Sequence, residues 1–497
     1  MIEEQRGMTT EAAARSAPRG VGGAGPAQTG VLAVVSLAVG LALAWLVGAG
    51  IDLGSEAVLF LVAAPFAAAL TLLAVTRFEW FVWTALLVRP SLDVLSGGAG
   101  LGAGAMLSAM FLVIATIWLL AQRRAGEWRP LGPATRAMLA FAVAVGLSVV
   151  TSELRIVSAR AALEILAGIS MFLVLEQLLP GRLDRLRRLV VAVMASAVVP
   201  VAVALQQWMT GGGNVRGDLS RIYGTFVHPN PFATYLGMLM VLGVCVALTV
   251  DGRRRILAGG FVALLGLVVV MTFSRGGWIA LIVAAGYLGV RRSKWVLGAL
   301  VGVLVAIALL VPSVGDRLGD LGEDERWLPE GVPRNSLEWR FQYWGDLISM
   351  ANDSPVTGIG PQVILNSRPE RLEPHNVFVQ VYVETGFLGF VAFLAVLATV
   401  ATTLVRRSRG AATPLERTFV LGATAAALAI LVQLLSENLL NATMTWWYLA
   451  ACATWGFRLQ GAQVVDGSIG SSERGTGHQP FDSGPRYPVP HGAASSS

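Results

Sequence analysis

Arginine and histidine gather at the mouths of apolar runs in this chain, and these are the side chains that hold phosphate and carry protons near neutral pH. Two of the four histidines lie in the C-terminal tail, while His228 and His375 stand where an apolar run begins. The first chemistry-bearing stretch is Arg221-Ile-Tyr-Gly-Thr-Phe-Val-His-Pro-Asn-Pro-Phe-Ala, residues 221–233. Gly224, Pro229 and Pro231 predict a rigid, turned entrance with Asn230 at a helix start. Its plain structural reading is a capped helix mouth, with Arg221 reaching to headgroups. The second, Thr272-Phe-Ser-Arg-Gly-Gly-Trp, puts Arg275 between two apolar runs with almost no loop to carry it. An arginine exposed at mid-membrane costs roughly 2.5–3.5 kcal/mol or more. The alternative is a loop arginine meeting lipid phosphate.

The third stretch joins Arg340-Phe-Gln-Tyr-Trp344 to Pro355-Val-Thr-Gly-Ile-Gly360. Arg340 and Trp344 share a face at i,i+4 spacing, and residues 336–351 predict an amphipathic helix lying on the membrane surface. The fourth is Pro374-His375-Asn376-Val-Phe-Val-Gln380, followed by Glu384-Thr-Gly386. His375 is placed as a helix cap or, with its ordinary pKa near neutrality, as a proton-transfer group. Glu384 falls about two turns into an apolar run, where a carboxylate must be paired or used. Several arginines and a histidine beside headgroups suit a membrane-anchored pyrophosphate and a hydroxyl that attacks it. No nucleotide-binding loop is present, which fits a donor that arrives already activated.

The elements that must position these groups are membrane helices. The chain is 497 residues, 55% hydrophobic and only 14% charged, against roughly 25% charged for a soluble domain. Fourteen apolar segments, near 30–50, 57–75, 78–96, 101–121, 133–151, 158–179, 187–208, 231–250, 255–273, 276–290, 295–312, 376–404, 415–436 and 439–457, predict an all-α polytopic bundle of about 12–14 spans. The third is weak, because Arg89-Pro90 breaks it. The expected division is a disordered N-tail (1–29), membrane helices (30–312), one large loop (313–375), further helices (376–458) and a disordered tail (459–497). Arginine marks alternate loops, at Arg123/Arg124, Arg182/Arg185/Arg187/Arg188, Arg253 to Arg255, Arg291/Arg292 and Arg406/Arg407/Arg409. The positive-inside rule assigns these and both tails to the cytoplasm. Every chemistry-bearing stretch then faces outward.

The same composition limits other classes. The net charge of +6 rests almost wholly on arginine, with Lys294 the single lysine, and no nucleic-acid-binding motif accompanies it. Cys245 and Cys452 lie inside apolar runs, as small core residues. The acidic run from Asp316 to Glu325 matches no calcium-loop spacing, and Asp52 with Glu56 forms at most an unsupported metal pair.

Arg221-Ile-Tyr-Gly-Thr-Phe with Asn230-Pro-Phe-Ala, Thr272-Phe-Ser-Arg-Gly-Gly-Trp, Arg340 with Trp344, Pro355-x-x-Gly-x-Gly360, and His375-Asn376 with Glu384-Thr-Gly386 resemble the O-antigen ligase and Wzy-type polymerase superfamily over residues 205 to 390. The resemblance implies a glycosyltransferase of the C type in the cytoplasmic membrane, active on its outer face. It implies transfer of a glycan from undecaprenyl pyrophosphate to a hydroxyl acceptor, with inversion and without a required metal or cofactor. It implies that Arg221 and Arg275 hold the pyrophosphate and that His375 activates the hydroxyl. Arg340, with Trp344, would be an additional phosphate or glycan contact, and Asn376 and Glu384 supporting residues. Arg216 stands as an alternative or supplement to Arg221, and His228 departs from the family pattern. Two other classes remain, a polysaccharide or lipid transporter and a non-catalytic partner of a synthesis complex. The first expects charges at mid-membrane in paired repeats; the second expects substitutions at Arg275 and His375 to be tolerated.

Overall fold

The computed structural model describes residues 56–93, 102–180, 182–216, 219–298, 336–367, 373–411 and 413–458, all within one unit. The expected run 30–50, most of 295–312, the acidic stretch after Asp316, Asp52 and the tails lie outside the described residues.

The chain is a multi-pass helical membrane protein. In order run α1 (Glu56–Thr76), α2 (Phe78–Val88), a 3₁₀ turn (Arg89–Ser91), α3 (Ala103–Arg124), α4 (Pro133–Thr151), α5 (Arg155–Leu178), α6 (Leu183–Ala195), α7 (Val198–Thr210), the strands β1 (Asn214–Arg216) and β2 (Leu219–Arg221), α8 (Pro229–Ala247), α9 (Gly252–Met271), α10 (Arg275–Arg291), α11 (Ser336–Ala351), α12 (Val363–Ser367), α13 (Val377–Gly410), α14 (Pro414–Leu434) and α15 (Thr443–Arg458). Among the described residues eight helical stretches are long and apolar enough to cross a membrane, with α6 and α7 counted as one. Their starts are built locally. Pro133, Pro229 and Pro414 occupy first-turn positions where a missing N–H costs nothing. Thr413 and Glu416 close a capping box.

Three predicted runs differ in detail. The run 78–96 stops at Val88 and turns into the 3₁₀ segment, because Pro90 can supply no helical N–H. The run 187–208 divides into α6 and α7. The last run starts at Thr443 rather than at 439, leaving residues 435–442 as a connecting loop. The outward loop also holds a small antiparallel hairpin, with Asn214 opposite Arg221 and Arg216 opposite Leu219.

Packing joins the elements through one large apolar cluster. Phe111 lies against Trp447 with centroids 4.6 Å apart, and Tyr235 meets Tyr448 edge-on at 4.9 Å. Many buried hydroxyls find a partner, as when Tyr448 donates to the Leu86 carbonyl at 2.5 Å. Lipid tails are as apolar as leucine, so such close packing and internal hydrogen bonds hold the helices together. Val143, Ile156 and Val191 stay exposed, as a lipid-facing surface requires. Arginine-bearing helix ends lie together opposite the four chemistry-bearing stretches. There Arg185 and Arg188 from α6 both clasp Glu79 of α2 at 2.8 Å.

α13 is the exception to regular helix. Gly386 takes φ 66° and ψ −169°, breaking the helix two turns in. The stretch Pro355 to Gly360 fills the break. Ile359 N and Gly360 N donate to the Val383 and Glu384 carbonyls, while Phe387 N and Leu388 N donate to Pro355 and Val356. These four bonds pair backbone groups freed by the break, as an apolar setting demands. α11, expected as an amphipathic surface helix, has one apolar face packed on protein. Its Tyr343, Leu347 and Ala351 pack on Val383 and Ile364, so protein covers that face, while Phe341 and Ile348 remain exposed.

Candidate functional site

Arg221 is the hub of the end of the bundle that holds the chemistry-bearing stretches. It is buried, and its Nε donates to the Thr272 carbonyl at 3.0 Å while its Nη2 donates to Asn230 Oδ1 at 2.9 Å. Thus one guanidinium ties the first stretch to the second. The turn after it is held by Gln207 of α7, whose Oε1 accepts from Tyr223 N and Gly224 N and whose Nε2 donates to the Gly224 carbonyl. Asn230 passes the network on, donating from Nδ2 to Glu437 Oε1 at 2.7 Å. Arg216 sits at the turn end of the hairpin, five positions away from this network. His228, not Asn230, caps α8, its Nδ1 accepting from Asn230 N at 3.2 Å.

Arg275 opens α10 directly after Ser274, whose hydroxyl caps the helix at Gly277 N. The backbone there runs against the end of α14: a Cβ on Gly276 would stand 3.1 Å from Gln433 Oε1 and from Ser436 Oγ, and 3.7 Å from Glu437 Oε1. The second stretch therefore abuts the loop 435–442 that also meets Asn230.

His375 enters from the other side of that loop. Asn376 caps α13 by accepting from Phe378 N and Val379 N. Trp344 Nε1 donates to the Pro374 carbonyl at 2.7 Å, so α11 holds the approach to His375. Asn438 Oδ1 accepts from His375 N at 2.7 Å, which turns Asn438 Nδ2 toward His375 Nδ1 at 3.0 Å. An amide nitrogen only donates, so Nδ1 is the accepting nitrogen and the neutral ring carries its proton on Nε2. Burial, with the positive charge of Arg340 and then His228, lowers His375 to about 4. The ring is therefore neutral at pH 7, and its lone pair is engaged by Asn438. In this tautomer Nδ1 is occupied by Asn438 and Nε2–H is the ring group left to donate.

Two carboxylates face the same centre. Burial raises Glu437 to about 7, against the opposing hydrogen bond from Asn230 and the charges of Arg340 and Arg221, with Glu373 reinforcing the rise. Burial also raises Glu373, opposed by its hydrogen bond with Asn438. Arg340 thus faces both His375 and Glu437 electrostatically. The non-glycine residues with positive φ among those described are Phe273, Gln362 and His375, each within or beside one of the four stretches. Such conformations cost of order 1–3 kcal/mol and concentrate at functional sites.

Glu384 lies elsewhere. Its side chain accepts from Gln380 Nε2 and from the Gln362 backbone, and its carbonyl accepts from Ser148 Oγ and Gly360 N. It belongs to the plugged break in α13. Among the described residues no group of three or more His, Cys, Asp or Glu converges to hold a metal ion. In the sequence Glu437 and Asn438 fall between the apolar runs 415–436 and 439–457 and, like Gln433, carry no motif of their own. The available signal was a polar cluster, Gln433 to Asn438, interrupting apolar sequence.

Residues 260–394 match the model of a family described as O-Antigen ligase, Wzy_C. That segment spans most of α9, α10, α11 and the start of α13, and includes Arg275, Arg340 and His375. No curated protein matches the chain.

Proposed function

From an O-antigen ligase segment at residues 260–394, which supports a membrane glycan ligase or polymerase role, we propose that this protein transfers a glycan from undecaprenyl pyrophosphate to a hydroxyl acceptor on the non-cytoplasmic side of the cytoplasmic membrane. The observation that carries this reading is convergence. Arg221, the Arg275 turn and His375 meet around one short loop, 435–442, at the end of the bundle opposite the arginine-rich helix ends. Guanidinium groups fixed before the donor arrives stabilise charge that develops on the leaving diphosphate, without reorganisation during reaction. Arg221 and Arg275 supply that charge; Arg340 adds to it and, with Trp344, frames the glycan.

His375 contributes its Nε2–H as a donor to the diphosphate or to the departing oxygen. Asn376 fixes the helix that carries it. An apolar cavity of about 100 Å³, walled by α4, α5, α13, α14 and α15, includes Leu434 at the end of α14 and Leu440 within the loop. It suits part of an isoprenoid chain whose diphosphate rests at the loop. Transfer proceeds as a single displacement, so the anomeric centre inverts. A transporter, by contrast, would gather its charges at mid-membrane.

The test is reconstitution. Purified protein in lipid nanodiscs is given an undecaprenyl-pyrophosphate glycan and a panel of glycan and lipid-linked acceptors, and products are followed by mass. A glycan-acceptor adduct with release of undecaprenyl pyrophosphate is expected. Movement of the donor across the bilayer without bond cleavage would overturn the reading.

A further inference from the structure

We propose that Glu437, flanked by Gln433 and Ser436, accepts the proton of the attacking hydroxyl. This rests on the transfer reaction proposed above and supplies the group it lacks, because His375 has its lone pair turned to Asn438.

Gln433 is 1% exposed, yet both atoms of its amide lack a hydrogen-bond partner, and the Ser436 hydroxyl is likewise buried and unpartnered. An unsatisfied buried polar group costs about 1–3 kcal/mol. Retaining three such atoms beside one carboxylate is costly unless something polar docks there. All lie against Gly276, directly beside Arg275, where an added Cβ would stand 3.1 Å from Gln433 Oε1 and Ser436 Oγ and crowd the three groups. The set offers an amide that both donates and accepts, a hydroxyl and a carboxylate. It carries no cation of its own, so it suits a neutral alcohol rather than a phosphate.

Glu437 is the carboxylate placed to serve it. One oxygen is held by Asn230, which is in turn held by Arg221. Proton acceptor and diphosphate ligand are thus kept in register by two hydrogen bonds. The groups facing it are Arg221, Arg340 and Glu373, with Gln433, Ser436 and the Arg275–Gly276 turn on the remaining side. Glu373 is bound instead to Asn438. Burial raises Glu437 to about 7, into the range in which proton transfer is most effective. In the step, the hydroxyl proton passes to the Glu437 carboxylate and the alcohol oxygen bonds to the anomeric carbon. The carbon–oxygen bond to phosphate breaks with its electron pair, leaving undecaprenyl pyrophosphate beside Arg221 and Arg275.

The experiment compares wild type, Glu437→Gln and Glu437→Asp as full-length proteins in nanodiscs. It follows kcat against pH and measures undecaprenyl pyrophosphate binding separately. The expected result is a fall in kcat of about 10²-fold or more for Glu437→Gln, with diphosphate binding held within about threefold. Glu437→Asp should recover activity and shift the acidic limb of the pH profile. If Glu437→Gln fails to insert, Glu437→Asp alone decides: a profile identical to wild type overturns the proposal. It is also overturned if Glu437→Gln keeps the wild-type kcat and profile. Equal loss of diphosphate binding and kcat, unrestored by aspartate, would instead make Glu437 a support for Arg221. A wild-type protein that releases no undecaprenyl pyrophosphate with any acceptor would remove the transfer reading itself, whatever the variants do.

Discussion

Asn438 holds His375 at two points: its Oδ1 accepts the His375 backbone N–H at 2.7 Å, and its Nδ2 donates to the ring Nδ1 at 3.0 Å. The first contact dictates the second, since the amide cannot turn without losing the backbone bond. His375 also sits at φ 50°, a conformation histidine adopts more readily than most side chains. One amide therefore decides both where the imidazole stands and which nitrogen carries its proton.

Asn438→Asp reverses that decision. A carboxylate presents two acceptors, so the ring must turn its proton to Nδ1 and expose a lone pair at Nε2. The tautomer change is read by ¹⁵N NMR of labelled histidine. If Nε2–H donation matters, transfer falls by about tenfold or more. Unchanged transfer with a switched tautomer would exclude the donor role.

Arg221→Lys and Arg275→Lys should each lower transfer by about 10²–10³-fold. An ammonium cannot reproduce a planar fork, and at position 221 it cannot hold the Thr272 carbonyl and Asn230 together. Kinetics in nanodiscs check both. Equal activity of either variant and wild type would remove that arginine from the diphosphate site.

Gly386→Ala should destabilise the fold by about 3 kcal/mol. The residue needs positive φ, and a Cβ there would overlap the Val356 carbonyl oxygen and Gly358 N. Gly358 faces the same constraint, since its Cβ would meet the Glu384 carbonyl at 2.5 Å. Gly146→Ala, with nothing within 4 Å of the added carbon, serves as the neutral control. Thermal unfolding in detergent distinguishes them, and equal melting temperatures would refute the plugged-break account.

His375 and Glu437 give opposite pH dependences to stability. The folded protein holds His375 at about 4 against an ordinary 6.5, so the unfolded chain binds the extra proton between those values and stability rises with pH across that window. It holds Glu437 at about 7 against an ordinary 4.5, so the folded protein keeps the extra proton and stability falls as pH climbs from 4.5 to 7. The two slopes oppose each other in the wild type. Glu437→Gln should expose the rise and His375→Gln the fall, in melting temperatures recorded from pH 4 to 7.5. Flat profiles for both variants would contradict these shifts.

Most of this protein was legible as a linear string because a bilayer leaves few options. Apolar length dictates spans, and proline and asparagine at 229–231 and 376 mark helix starts, each through contacts a few residues apart. The four stretches share one end of the bundle for the same reason. Roles depend on partners far along the chain, and those only the tertiary structure decided. Glu384 and Pro355 to Gly360 repair a broken helix, because carbonyls freed at 383 and 384 pair with amides at 359 and 360. The tautomer of His375 follows from Asn438, a side chain 63 positions later that faces its ring. Glu437, plain in the sequence as a loop acid, gains its raised pKa and its place beside Arg221 only when three outward loops fold against one another.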